Sequence, residues 1–427
     1  MTRTSERTGI AEAVGELARR GFQPRFGQLR DDLPTHALWD RLRELGTELW
    51  LDTGSTDDAA GLWTRELTAL TTNNTLLNRE VQKGTYDGVV AEAARLLAGF
   101  GLTAGERVQE VAFLLNALHG LKLVERFDAF VSVELHTALA HDADAAVAYA
   151  RRYHAVCPER FLVKIPLTPA GLLATRRLAD EGVPVNHTLG FSARQNYVVA
   201  RIGRPAFVNV FMGRLGVFVA DNGLGDGSYV GERATLASQA AVRELRKTRD
   251  LPTRQIGASF RAGEQVRDLA GMDVMTLPPK VARQFLDLGL APAQVTDRTG
   301  AAYEPPLADG VDPRAIGLNT LWDIPDRLIA CVDALERQNL DAFTADDVMT
   351  FFAGHGCGDL FPRWTEEQIA AGAAEGKIPR LATWSASLAA GEIGLDALMN
   401  LAGLLSFTAD QHAMDDRIAG LMGSDLD

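Results

Sequence analysis

The stretch Phe161-Leu162-Val163-Lys164-Ile165-Pro166 sets a single amine inside an apolar run. Apolar and β-branched residues followed by proline predict a buried strand that stops at its C-terminal end. An ammonium ion buried there is costly unless paired, and the neutral amine is a nucleophile toward carbonyls. An isolated lysine of this kind can also lie on an edge strand with its head reaching solvent. Other polar residues decide between the two. Asp52, Asn73, Glu134, Asn186, Thr188, Asn209 and Ser259 each sit within or just after a short apolar run, mostly at its C-terminal end. One such residue is ordinary turn chemistry. A series on successive runs, with a buried lysine among them, predicts an enzyme site.

The elements that must position these residues alternate regularly. Strand-like runs fall at Leu49–Asp52, Ala69–Thr72, Phe130–Glu134, Leu162–Ile165, Val185–Leu189, Phe207–Phe211, Gln255–Ser259 and Val274–Leu277. Helix-like stretches lie between them: 86–100, 105–120, 143–155, 169–181, 193–202, 232–248 and 264–270. Eight buried-type strands with intervening helices predict parallel βαβ units closed into an α/β fold, a (β/α)8 TIM barrel. In that fold the C-terminal rim of the strands carries the active site. The barrel is expected over 46–287. An N-terminal helical extension (1–45) should cover one end, and a C-terminal helical region (288–427) should pack on the barrel.

Composition narrows the function classes. A chain of 427 residues with a net charge of −13 lacks the basic surface that nucleic acid or an anionic membrane requires, so any phosphate site must be local. No stretch of about 18 apolar residues runs without charge, so no transmembrane helix is expected. The N-terminus lacks the apolar core of a signal peptide, and Cys157, Cys331 and Cys357 are widely spaced. These features predict a soluble, cytoplasmic protein without a disulfide frame. The histidines show no metal-ligand spacing, so no catalytic metal is expected. His187, next to Asn186, should point away from the barrel interior as a structural residue.

Seven segments now stand in order: LWLDTGS around Asp52, TTNNT at 71–75, VSVE at 131–134, FLVKIPLTPAG at 161–171, GVPVNHTLGFSARQ at 182–195, VFMGR at 210–214 and GASFR at 257–261. Together they resemble the transaldolase family, over about residues 45–285. The resemblance implies a class I enzyme that moves a dihydroxyacetone unit between sugar phosphates through a lysine Schiff base, in the pentose phosphate or a related pathway. Lys164 would form the Schiff base, a chemistry that needs no cofactor. Asp52 would take and return the C4 hydroxyl proton. Glu134 with Thr188 would hold a proton-shuttling water. Asn73, Asn186, Asn209 and Phe211 would line the substrate, while Arg214, Ser259 and Arg261 would clamp its phosphate. Two guanidinium forks and a hydroxyl on loops after late strands suit a dianion on physical grounds too. Taken alone, Asp52 also reads as a helix cap or turn residue, Glu134 as a barrel salt bridge to Lys164, and Asn73, Asn186 and Phe211 as turn or core residues.

Three departures from the family pattern stand out. TTNP becomes TTNN, with Asn74 for proline. Asn209 stands where a serine is usual, which touches donor recognition. The loop 221–232 is glycine-rich without the strand-turn-helix setting of a dinucleotide site, and is expected to be a mobile loop. Phe211, where short aldolase relatives carry a tyrosine proton donor, implies that the enamine waits for an acceptor aldehyde. A dihydroxyacetone-type aldolase and a non-catalytic scaffold are the alternatives. In the C-terminal region, Thr344 and Thr365 each precede an acid or amide by three residues, as helix caps do. The region could roof the site or serve a homodimer interface.

Overall fold

The computed structural model describes residues 3–27 and 32–423. Within it, eight parallel strands close on themselves in sequence order. They are β1 (Glu48–Asp52), β2 (Leu67–Thr71), β3 (Phe130–Glu134), β4 (Phe161–Pro166), β5 (Val185–Thr188), β6 (Phe207–Phe211), β7 (Arg254–Ala258) and β8 (Val274–Leu277). β1 pairs with both β2 and β8, which closes the barrel. The strand positions predicted from apolar runs hold to within a residue or two. Both faces of the strands are buried: Leu49, Leu51, Val131, Val133, Val163 and Ile165 on the helix side are at most 1% exposed, and Trp50, Ser132 and Leu162 on the inner side at most 4%, as in a closed sheet without edges. Below the site the interior is plugged by an edge-to-face contact between Trp50 and Phe207, ring centroids 4.8 Å apart.

The N-terminal extension divides into two parts. Helix Ala37–Glu44 buries Leu38, Trp39 and Leu42 at the start of β1, and Trp39 stacks on Phe285 at 5.2 Å. Helix Arg3–Arg19 instead lies against the outer helices Ala104–Phe127 and Ala143–Val156, so it covers the barrel's flank and not an end. Residues 1–2 and 28–31 of the extension lie outside the described residues.

The C-terminal region forms helices Asp326–Leu335, Ala345–Gly354, Glu366–Glu375, Leu381–Ala389 and Leu395–Gly423. The caps at Thr344 and Thr365 form as complete capping boxes. Val348 and Phe352 join Leu328 and Val332 in a cluster with Leu172, Val198 and Ile202 from the helices after β4 and β5. The last helix runs well past the apolar stretch that announces it. Its buried positions continue at Phe407, Gln411, Met414, Ile418 and Met422, a helical spacing diluted by polar residues on the outer face. The helix Met212–Asp221 directly after β6 had no clear sequence signal, because its Gly213 and Gly216 break the pattern. The glycine-rich loop that follows is fastened, not free. Leu224 O accepts from Ala308 N at 2.8 Å, and Gly225 bridges to Leu307. Among the described residues no helix is long and apolar enough to cross a membrane.

Candidate active site

Register brings the charged groups together. Glu134 on β3 pairs with Lys164 on β4, which pairs with Asn186 on β5, so all three side chains share one inward layer. Lys164 is 4% exposed and Glu134 2%. The ammonium nitrogen stands 3.8 Å from Glu134 Oε1 and donates to the backbone oxygen of Thr72 at 3.1 Å. An amine on the barrel's outer wall is thereby excluded, and the salt bridge to Glu134 is present as well.

The other carboxylate, Asp52 at the end of β1, accepts from Thr71 Oγ1 at 2.7 Å, and that hydroxyl also meets Thr276 Oγ1 at 2.7 Å. Burial raises the pKa of Asp52, opposed by Lys164, Thr71, Arg261 and Arg79. Burial likewise raises that of Glu134, opposed by Lys164 and by the backbone N–H of Asn74. Two carboxylates held near one amine and biased toward their protonated forms suit proton transfer more than permanent ion pairing.

A cavity of about 490 Å³ opens from this cluster. Asp52, Asn73, Lys164, Asn186, Asn209, Phe211, Arg214, Ser259 and Arg261 all line it. Glu134 and Thr188 sit behind, not on its wall. Asn186 donates to Ser132 Oγ at 3.0 Å and Asn209 donates to Asn186 Oδ1 at 3.3 Å, forming an amide belt across β3, β5 and β6. Asn73 also caps the helix Asn74–Gln82, accepting from Leu76 N at 2.8 Å, so its turn role and its cavity position coexist. His187 faces outward as expected, against Thr175 Oγ1 at 2.9 Å, and burial pushes its pKa down to about 3.

Arg214 is 7% exposed, has Nη1 without a protein partner, and is pushed down to about 10 by burial and by Arg261 beside it. A buried fork with a free donor fits an anion brought by a ligand. Ser259 takes a left-handed backbone (φ 65°), turning the chain so that the Ser259–Arg261 segment approaches the helix after β6. That approach needs glycine at 213: a Cβ there would collide with the Ser259 carbonyl oxygen and press on the Arg261 stem.

These strand-end residues, in this order on a closed eight-stranded barrel, match what known sequences show. The sequence model of the transaldolase/fructose-6-phosphate aldolase family matches residues 49–347. This chain belongs to that family. It is therefore an enzyme of transferase type. Relatives include a probable transaldolase of Thermus thermophilus, 35% identical over 250 residues (57% of this chain, 94% of the relative). A transaldolase of Xanthomonas euvesicatoria is 31% identical over 311 residues (66% of this chain, 94% of the relative). A transaldolase of Chlamydia trachomatis is 30% identical over 243 residues (54% and 72%). The Thermus relative is nearly used up by 250 aligned residues, so it has no room for the whole C-terminal region seen here.

That region reaches the site through residues that sequence reasoning missed. Phe407 on the last helix lines the cavity, its ring 5.9 Å from Lys164 Nζ, 6.2 Å from the Phe211 ring and 5.5 Å from the Arg214 guanidinium carbon. The helix is anchored by Arg194, which donates to Asp396 at 2.8 and 2.7 Å and to Asp359 at 2.6 Å, while Ser192 Oγ donates to Asp396 at 2.6 Å. Part of the GFSARQ segment therefore docks the C-terminal addition. No local pattern marks Phe407 as different from any core phenylalanine.

Proposed function

We propose that this transaldolase-family enzyme transfers a dihydroxyacetone unit from a ketose phosphate to an aldose phosphate through a Schiff base at Lys164, within cytoplasmic pentose phosphate or related sugar-phosphate metabolism. The observation that carries this reading is the buried amine 3.8 Å from Glu134, opening into a cavity whose wall also holds Asp52 and an arginine with a free donor.

The Lys164 amine adds to the C2 carbonyl, and loss of water gives an iminium that accepts electrons as the C3–C4 bond breaks. Asp52 takes the C4 hydroxyl proton as the aldose phosphate leaves, and returns it when the acceptor adds. Thr188 Oγ1 is fully buried without a protein partner, which suits the water that the family holds there with Glu134. Arg214, Ser259 and Arg261 take the phosphate. Phe211 on the cavity wall has the rings of Phe191 at 5.8 Å and Phe407 at 6.2 Å, and none of the three has an acidic hydrogen to give an enamine formed at Lys164. An enamine denied a proton there persists until an aldehyde arrives, which favours transfer over cleavage.

Incubation with fructose 6-phosphate and borohydride, followed by peptide mass mapping, tests the reading. A reduced adduct on Lys164, absent from Lys164→Met, supports it. Absence of an adduct with every ketose phosphate tried would leave only a non-covalent role for the cavity.

A further inference from the structure

The cavity carries more positive charge than one phosphate needs. Beyond Arg214 and Arg261 it is lined by Arg79, Lys280, Arg283 and Lys377, against two carboxylates, Asp52 and Asp58. That inverts the balance of a chain with 56 acidic and 43 basic residues. All four added cations are exposed. Arg283 has a long pair with Asp58 at 4.0 Å, whereas Arg79, Lys280 and Lys377 have no ion-pair partner among the described residues. Clustered like charges left unpaired are unfavourable until an anion joins them.

Strand order places this cluster. Arg214 and Arg261 follow β6 and β7, whereas Lys280 and Arg283 follow β8, Asp58 follows β1 and Arg79 follows β2. The cations therefore arc over the sector centred on β8 and β1, and in a closed barrel of eight strands β8 lies across from β4, which bears Lys164. The last helix roofs the other side, where Asn400 donates to Leu189 O at 2.9 Å and Phe407 meets Phe211. Lys377 comes from beyond the family match, which ends at residue 347, so the C-terminal addition brings charge to the mouth as well as a roof.

We infer that the arc is a second anion subsite, so that the sugar carries, on the part of its chain remote from the Schiff base, a second phosphate or carboxylate besides the phosphate that Arg214, Ser259 and Arg261 hold. This rests on the transfer reading above. Alkanediol bisphosphates of graded chain length, compared with the matching alkyl monophosphates, test it as competitive inhibitors of the intact enzyme near physiological salt. One chain length should inhibit at least tenfold better as the bisphosphate, because the second contact is made within the complex. Lys377→Met combined with Arg283→Met should erase that advantage while changing monophosphate inhibition less than twofold. The inference falls if no bisphosphate outperforms its monophosphate. It falls equally if the double variant weakens both alike, which is the signature of general attraction for anions. Borohydride trapping with fructose 6-phosphate on the same preparations separates the two readings: an adduct without bisphosphate preference sinks the subsite alone, and no adduct sinks the transfer reading.

Discussion

Asn74→Pro restores the residue usual in the family and should cost activity here. In this chain the Asn74 backbone N–H donates to Glu134 Oε2 at 3.0 Å, and proline has no N–H to give. The backbone tolerates the change: residue 74 is the first of its helix, a position proline favours, and Asn73 before it is extended (φ −158°, ψ 171°) as proline requires. What is lost at the buried Glu134 carboxylate is therefore one hydrogen bond, and the side-chain bond to Leu135 O goes with it. Bonds to charged groups contribute about 1.5–3 kcal/mol, so the ratio of carboxylate to carboxylic acid at Glu134 should fall roughly 10- to 150-fold.

The sign follows from the same bond. The N–H lowers a pKa that burial raises, so removing it raises that pKa further and the carboxylate survives only to higher pH. The acid limb of kcat/KM should move toward neutrality, with the plateau at higher pH little changed. The assay is transfer from fructose 6-phosphate to erythrose 4-phosphate across the pH range. Asn74→Ala is the control, since it keeps the N–H while losing the Nδ2 bond to Leu135 O at 3.2 Å. Superimposable profiles for wild type and Asn74→Pro, or identical displacements in both variants, would refute the reasoning.

Two further predictions test the supports of the site. Gly213→Ala should push back the Ser259–Arg261 turn, raising KM for phosphorylated donors at least tenfold while Schiff-base formation with dihydroxyacetone itself changes little; equal losses for both would place the damage elsewhere. Asp396→Ala should leave Arg194, with a side chain only 4% exposed, without its main partner and destabilise the fold by about 3–5 kcal/mol, read by chemical denaturation. A loss within about 0.5 kcal/mol would mean the ion cluster does not hold the helix down.

Much of the site was legible in the sequence because a TIM barrel converts strand order into space. Strand ends become one rim, so Asp52, Lys164, Asn186, Asn209 and Phe211 converge without any knowledge of helices. Alternation along a strand then separates Asn186, which faces the cavity, from His187, which faces the helices. Register was legible only as one reading of Glu134 among others, a salt bridge to Lys164. That Glu134 stands level with Lys164, at 3.8 Å, follows from the β3–β4 pairing, which no local pattern states. The meaning of the TTNN departure was equally hidden, since an asparagine in place of proline looks like a loss until the freed N–H is seen to reach Glu134.

The sequence by itself determined the barrel, the buried amine and the residues around it, because those depend on periodicities of a few residues. Tertiary structure alone decided that Phe407 and Lys377, more than 200 residues beyond Lys164, complete its surroundings. Contacts between distant segments arise from how whole surfaces bury one another, and apolar or charged residues on a helix carry no sign of which surface they will meet.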